Sequence, residues 1–203
     1  MRALYGGFLF LIFGVGWAKA LDYEALKRAY HLSYEFDRRG EDLKAREALF
    51  PVYEKFPRGY TVNLRLGWLF YLEGRYREAR KYYERALEVA PRAVEPLLGL
   101  SLTYMVQKRW KEVEELMTRV LKIDFYNYYG NLRLTQALRE QKKYLQAEAV
   151  CRKMLSLYPT DVAFLTELAL TLYHSGQKKL ALSIFRDVLI LDPQNRIASR
   201  FVP

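Results

Sequence analysis

Cysteine occurs once in this chain of 203 residues, at Cys151, so neither an intrachain disulfide framework nor a cysteine metal cluster can exist. Histidine is almost as scarce. His31 and His174 stand at opposite ends of the sequence and belong to no ligand set suited to zinc. A phosphate-cradling loop of the G-x-x-x-x-G-K-S/T type is also missing. Carboxylates are plentiful, but stretches such as EVEEL at 112 to 116 read as solvated helix faces. Catalysis needs a nucleophile, an acid–base pair or a metal in convergent geometry, and this inventory supplies none of them. The expectation is therefore a protein without catalytic site, cofactor or metal.

Long apolar runs are lacking too, with one exception at the start. MRALYGGFLFLIFGVGWAKA carries a positive charge at Arg2, no charge from Ala3 to Ala18, and Ala18 and Ala20 around Lys19. That is the layout of a secretory signal peptide over 1–20, with cleavage between Ala20 and Leu21 and a mature chain of 21–203. Export, to a periplasm, follows as the expectation. The alternative is an uncleaved inner-membrane anchor, although the uncharged stretch falls short of the ~20 residues that span a bilayer comfortably. No cysteine follows the apolar segment, which excludes a lipoprotein-type N-terminus.

Proline is sparse but regularly placed. Stepping by 34 from Pro57 reaches Pro91, Phe125, Pro159 and Pro193. The same step joins the small residues Ser33, Gly67, Ser101, Thr135 and Ala169, and then Ala45, Ala79, Val113, Ala147 and Ala181. A third register holds Leu49, Tyr83, Met117, Cys151 and Phe185. Five units, 26–59, 60–93, 94–127, 128–161 and 162–195, thus tile the chain and leave a short tail at 196–203. Inside a unit, apolar residues recur at helical spacing in two segments, with Gly74 breaking the run in the second unit. Each unit is accordingly a pair of antiparallel helices. Small residues at the eighth and twentieth positions let the helices approach, a large one at the twenty-fourth fills the space beside them, and proline ends the second helix.

This pattern resembles the tetratricopeptide repeat. Unit 60–93 carries Leu66, Gly67, Phe70, Gly74, Tyr76, Ala79, Tyr83, Ala86 and Pro91, and unit 162–195 keeps Leu168, Ala169, Gly176, Ala181, Phe185 and Pro193. The resemblance implies an all-α solenoid of about five repeats, wound as a right-handed superhelix, whose concave groove is lined by the first helix of each unit. Positions five, nine and twelve would place Tyr30, Tyr34 and Asp37, then Leu64, Trp68 and Tyr71, then Leu98, Leu102 and Met105 in that groove. The fourth and fifth units would add Leu132, Gln136, Arg139, Thr166, Leu170 and Tyr173. Such a lining is aromatic and apolar over the first three units. It lacks the Lys and Asn with which members of the family clamp a terminal carboxylate, and suits an apolar segment or amphipathic helix of another protein.

Two units depart from the pattern. In unit 26–59, Asp42 occupies an aromatic slot, and Pro51 is expected to bend or break the second helix. In unit 94–127 the closing proline gives way to FYNYYGN at 125 to 131, whose aromatics are expected to plug gaps between helices, with a partner contact as the alternative.

Basic residues outnumber acidic ones, 33 against 23. The excess gathers at Arg75, Arg77, Arg80 and Lys81 and again at Lys142 and Lys143, interrupted by a neutral third unit. A phosphate-tracking stripe would be continuous, so nucleic acid is not expected. A solvated outer face, open to an anionic membrane, is the expectation. At the other end, the helix from about Lys178 to Leu191 has more apolar residues than one inward stripe uses. Ile197 and Phe201 are expected to fold back onto it, with self-association through the last repeat covering the rest. Together these readings give a non-catalytic adaptor or assembly factor of the bacterial cell envelope, which holds a protein segment in its groove. The alternative is a membrane-anchored scaffold.

Overall fold

A computed structural model describes residues 23–202. The expected signal segment at 1–20 and the cleavage site before Leu21 lie outside the described residues. The first helices of the units are α1 (Tyr23–Arg38), α4 (Tyr60–Leu72), α6 (Val94–Val106), α8 (Tyr128–Glu140) and α10 (Val162–His174). The second helices are α5 (Tyr76–Val89), α7 (Trp110–Ile123), α9 (Tyr144–Leu155) and α11 (Lys178–Leu191). In the first unit the second helix is split into α2 (Asp42–Glu47) and α3 (Phe50–Lys55). Pro51 lies in the first turn of α3, where its missing N–H is harmless, so the chain breaks before it, as expected. The result is an all-helical solenoid, and the helices from α4 to α11 start at intervals that keep the 34-residue step.

The three registers read from the sequence are the spine of the stack. Ala45, Ala79, Val113, Ala147 and Ala181 are all fully buried, as are Leu49, Met117, Cys151 and Phe185. Tyr83 fills more than its own unit. Its ring lies so close to α4 and α6 that a Cβ added at Gly67 would stand 2.7 Å from it, and one at Gly99 only 2.4 Å. The two glycines therefore form the slot that the tyrosine occupies.

Each unit turns between its helices through one residue in the left-handed region: Gly40, Gly74, Lys108, Lys142 and Gly176. The turn is hydrogen-bonded alike each time, for instance Gly74 N to Tyr71 O and Arg75 N to Phe70 O, or Lys142 N to Arg139 O and Lys143 N to Leu138 O. This is a helix-terminating motif that prefers glycine, and two lysines adopt it here against their intrinsic preference.

Helices α4 and α6 pack directly on one another, as do α8 and α10, while consecutive second helices make no comparable contact. At these two junctions the first helices form the closer-packed side of the stack, termed its inner side.

Two expectations need correction. Phe125, Tyr126 and Tyr129 do not plug gaps; each keeps more than half of its surface in solvent. They sit in the α7–α8 turn and the first turn of α8, where Gly130 and Asn131 take the inward places, and Lys153 caps the Phe125 ring at 4.0 Å. Within that stretch Tyr128 does pack, edge to face with Phe164 at 5.4 Å, and its hydroxyl donates to Asp161 at 3.1 Å. At the C-terminus, Phe201 folds back as expected, stacked on Phe185 at 4.5 Å and against Tyr173 at 4.7 Å. Ile197 does not join it. Asn195 Oδ1 accepts from the backbone N–H of Ala198 at 2.9 Å, and the turn this makes buries Ala198 and leaves Ile197 40% exposed.

Candidate functional site

Thr166, whose hydroxyl turns back to the Val162 carbonyl, and Leu170, which joins the core of the last unit, are buried rather than set in a groove; the other residues expected to line it share one property. Tyr30, Tyr34, Leu64, Trp68, Tyr71, Leu98, Leu102, Met105, Gln136, Arg139 and Tyr173 all remain partly or largely exposed, although they belong to helices whose neighbouring residues are sealed. Between them Asn63, Gly67, Leu97, Ser101, Asn131 and Thr135 are buried, because the 3.6-residue period alternates inward and outward sides. The lining is not uniform. Trp68 and Tyr71 stack at 5.6 Å, and Tyr71 leans on Tyr76 at 5.8 Å, which gives α4 a continuous aromatic strip. Tyr30 is half-buried, and burial followed by the neighbouring Tyr34 pushes its hydroxyl up to about 12, so it stays a neutral donor. Tyr173 is partly covered by Phe201 and offers less surface than its position promised.

Charge on this face comes from the twelfth position of the units, where Asp37 and Arg139 were expected, and from the sixth, at Arg65, Arg133 and Glu167, which the repeat pattern did not point to. Arg65 bonds Asp37 at 2.6 Å, reaches the Ser33 carbonyl at 3.1 Å, and lies over the Tyr34 ring at 4.1 Å. Arg139 bonds Glu167 at 2.9 Å and Glu140 at 2.6 Å. Burial opposes the Arg139 charge, but the Glu167 and Glu140 carboxylates together outweigh it and hold the guanidinium pKa above its ordinary value. Arg133 differs. Its Nη1 donates to the Leu98 carbonyl at 2.6 Å and to Ser101 Oγ at 2.9 Å, and no carboxylate among the described residues pairs with it. Burial lowers its pKa, against the opposing influence of Tyr71, Tyr129 and Tyr83.

Nothing on this face resembles a reaction centre. Burial raises the Cys151 thiol to about 12, which leaves it a protonated core side chain. His31 and His174 are exposed and belong to different ends of the stack.

A model of the tetratricopeptide repeat matches residues 70–133 and 138–200. The chain belongs to the tetratricopeptide repeat family. No curated protein matches it. Among solved structures, a tetratricopeptide repeat protein from Parabacteroides merdae superposes with TM-score 0.79 at 18% identity, covering 88% of this chain and 71% of that one. MamA residues 41 to the end from Desulfovibrio magneticus RS-1 gives 0.76 at 16% identity, covering 87% and 99%. YrrB, described as a repeat protein with an unusual peptide-binding site, gives 0.70 at 13%, covering 85% and 89%. At these identities the likeness is one of fold. Members of this family typically serve as non-catalytic protein-interaction modules.

The outer, second-helix side of the tetratricopeptide stack is less free than its charge suggested. Arg75 pairs with Glu73 and Glu78 and lies over Phe70 at 4.6 Å, while Arg80 covers Tyr104 at 5.3 Å. Lys143 bonds Glu114 at 2.6 Å. Arg77, Lys81 and Lys142 are exposed. Of these, Arg80 and Lys143 tether one unit to the next, while Arg75 is held within its own.

Proposed function

We infer that the protein is a non-catalytic adaptor or assembly factor that holds a segment of another protein against its inner face. One observation carries this reading. The aromatic and apolar side chains of α4 and α6, Leu64, Trp68, Tyr71, Leu98, Leu102 and Met105, stay partly exposed side by side along the inner side of the stack. Contiguous apolar surface of this kind on a soluble domain marks a docking site. The family's use as an interaction module supports the same conclusion. Trp68→Ala combined with Tyr71→Ala should weaken partner capture by ~2 kcal/mol or more with helix content unchanged, as for aromatic anchors at a binding hot spot. Capture that survives this pair but is lost on altering Arg77, Lys81 and Lys142 would move the binding surface to the outer face.

The setting we assign is the cell envelope, on the signal-like N-terminal sequence alone. Protein recovered from its own host should begin at Leu21. A chain that starts at Met1 and needs detergent for extraction would instead make the protein a membrane-anchored scaffold.

A further inference from the structure

The inner face carries a register of paired positions. The twelfth residue of one unit meets the sixth of the next, as Asp37 meets Arg65 at 2.6 Å and Arg139 meets Glu167 at 2.9 Å. The acid comes from the earlier unit in one pair and from the later unit in the other, so what persists is the neutralised pair and not the side that supplies each charge. The same register sets Tyr71 with Gly99, and Met105 with Arg133. Arg133 is therefore half of such a pair, with methionine where the acid would be.

Its hydrogen bonds say which half is missing. The Leu98 carbonyl and Ser101 Oγ both accept from Nη1 and fix the guanidinium in place. Nε and Nη2, which share one edge of the group, have no partner among the described residues. Neither is sealed from solvent, since the buried unpartnered side-chain atoms among the described residues are the amide oxygens of Asn63 and Asn131. An ordered two-donor edge is left over, flanked by the Tyr129 ring at 5.5 Å. Two parallel N–H donors on a preoriented arginine match the two oxygens of a carboxylate. Partly exposed apolar residues of the first helices stand before and beside Arg133 in the repeat order, Trp68, Tyr71 and Leu102 on the earlier units and Leu132 and Tyr128 on its own helix. A segment lying along them would thus carry its acid internally and not at its end.

We propose that Arg133 recognises an acidic side chain flanked by apolar residues in the partner segment, completing in trans the pair that Asp37–Arg65 and Arg139–Glu167 complete within the chain. This rests on the inner-face reading above and specifies its chemistry. The cationic outer patches are a poorer place for it, because Arg75, Arg80 and Lys143 are already engaged within the fold, while Arg77, Lys81 and Lys142 are exposed and no hydrogen bond among the described residues orients their charged groups.

The probes are 4-phenylbutyrate and its neutral amide, 4-phenylbutyramide, titrated into the full chain while the arginine Nε–H and tryptophan indole resonances are followed by NMR. The Arg133 signal is assigned by its loss in Arg133→Gln, and the Trp68 signal by its loss in Trp68→Phe. The expected result is a saturable shift of both signals with the acid, and binding weaker by about tenfold for the amide, as when a charge-assisted bidentate contact is replaced by a neutral one. Arg133→Gln should abolish the preference for the acid. Met105→Glu, which supplies the missing acid from within at a partly exposed position, should abolish it too, with the circular dichroism spectrum unchanged. An amide that binds as tightly as the acid, or an acid preference that persists in Met105→Glu, overturns the assignment of Arg133 while the apolar docking face stands. If neither probe moves the Trp68 signal, both readings fall together.

Discussion

The stretch Asn-Leu-Arg-Leu occurs twice, at 63 to 66 and at 131 to 134, and the two copies share their backbone role but not their electrostatic one. In each, the asparagine ties the preceding turn to the helix. Asn63 Nδ2 donates to the carbonyls of Pro57 and Gly59, and Asn131 Nδ2 to those of Phe125 and Asn127, all within 3.1 Å. Even the leftover is shared, since both amide oxygens are buried without a partner. The arginines then part. Arg65 finds Asp37 on the preceding unit, whereas Arg133 finds Met105 at the equivalent place and settles on a carbonyl and a hydroxyl. A repeat array can therefore hold its geometry constant while one substitution on a neighbouring unit, acid or methionine, decides whether a cation is spent on stability or left for something else.

The sharpest way to break this comparison is to make the first junction like the third. Asp37→Asn leaves Arg65, which is only 8% exposed, without its counter-charge, and should lower stability by about 3 kcal/mol. Urea denaturation measures it. Arg65→Met in the same chain should recover at least half of the loss, because the penalty lies in the stranded charge; a loss below about 1 kcal/mol would mean the pair is as weak as an exposed one.

The junction between these two has neither partner, since its sixth position is Gly99 and its space is taken by Tyr83. Gly99→Ala should cost about 2 kcal/mol by overpacking the ring. Adding Tyr83→Leu should make the alanine nearly harmless in the same denaturation measurement, although that double variant will be less stable than the native chain for lack of the ring itself.

Asn63→Ala and Asn131→Ala sharpen the shared half of the comparison. Each removes two bonds to carbonyls of the preceding turn and should cost roughly 1.5 kcal/mol, the two agreeing within about 0.5. A marked inequality in their thermal midpoints would show that the turns of the second and fourth units are not equivalent after all.

The smallest effect concerns the turns within units. Gly74 and Lys142 hold the same left-handed conformation, at φ of 74° and 60°. Lys142→Gly should stabilise the protein by about 1 kcal/mol, and Gly74→Ala should destabilise it by a similar amount. Differential scanning calorimetry of the two variants gives the sign directly.

These contrasts also explain what could be read before the fold was known. Ala45, Ala79, Val113, Ala147 and Ala181 were legible as buried because an inward slot of fixed size restricts each residue independently. Pro51 was legible as a break for the same local reason. The ion pairs were not, since Asp37–Arg65 and Arg139–Glu167 involve residues 28 apart whose signs are exchanged, so that no single position has a preferred charge. Phe125, Tyr126 and Tyr129 misled because aromatic character alone does not reveal whether a ring lies in a turn or in a helix face. Lys108 and Lys142 escaped notice although Gly40, Gly74 and Gly176 mark the same step, because lysine carries no signature of a strained backbone.

Helix packing here stays within a unit or between adjoining units. No segment has to wait for a distant one to arrive, so the entropy of closing large loops hardly enters the folding barrier, and the order of events is set by which interface is weakest. The broken pair α2 and α3 gives the N-terminal unit two short helices where the others have one long one, and that unit has a neighbour on one side only within the described residues. Amide protons there should exchange soonest, followed by those of the last unit under its Phe201 cover, with α6 to α8 opening last. The inner face around Trp68, Leu102 and Arg133 would then keep its shape while one end of the chain is already loose, and a bound segment could be held by a molecule that is partly unfolded.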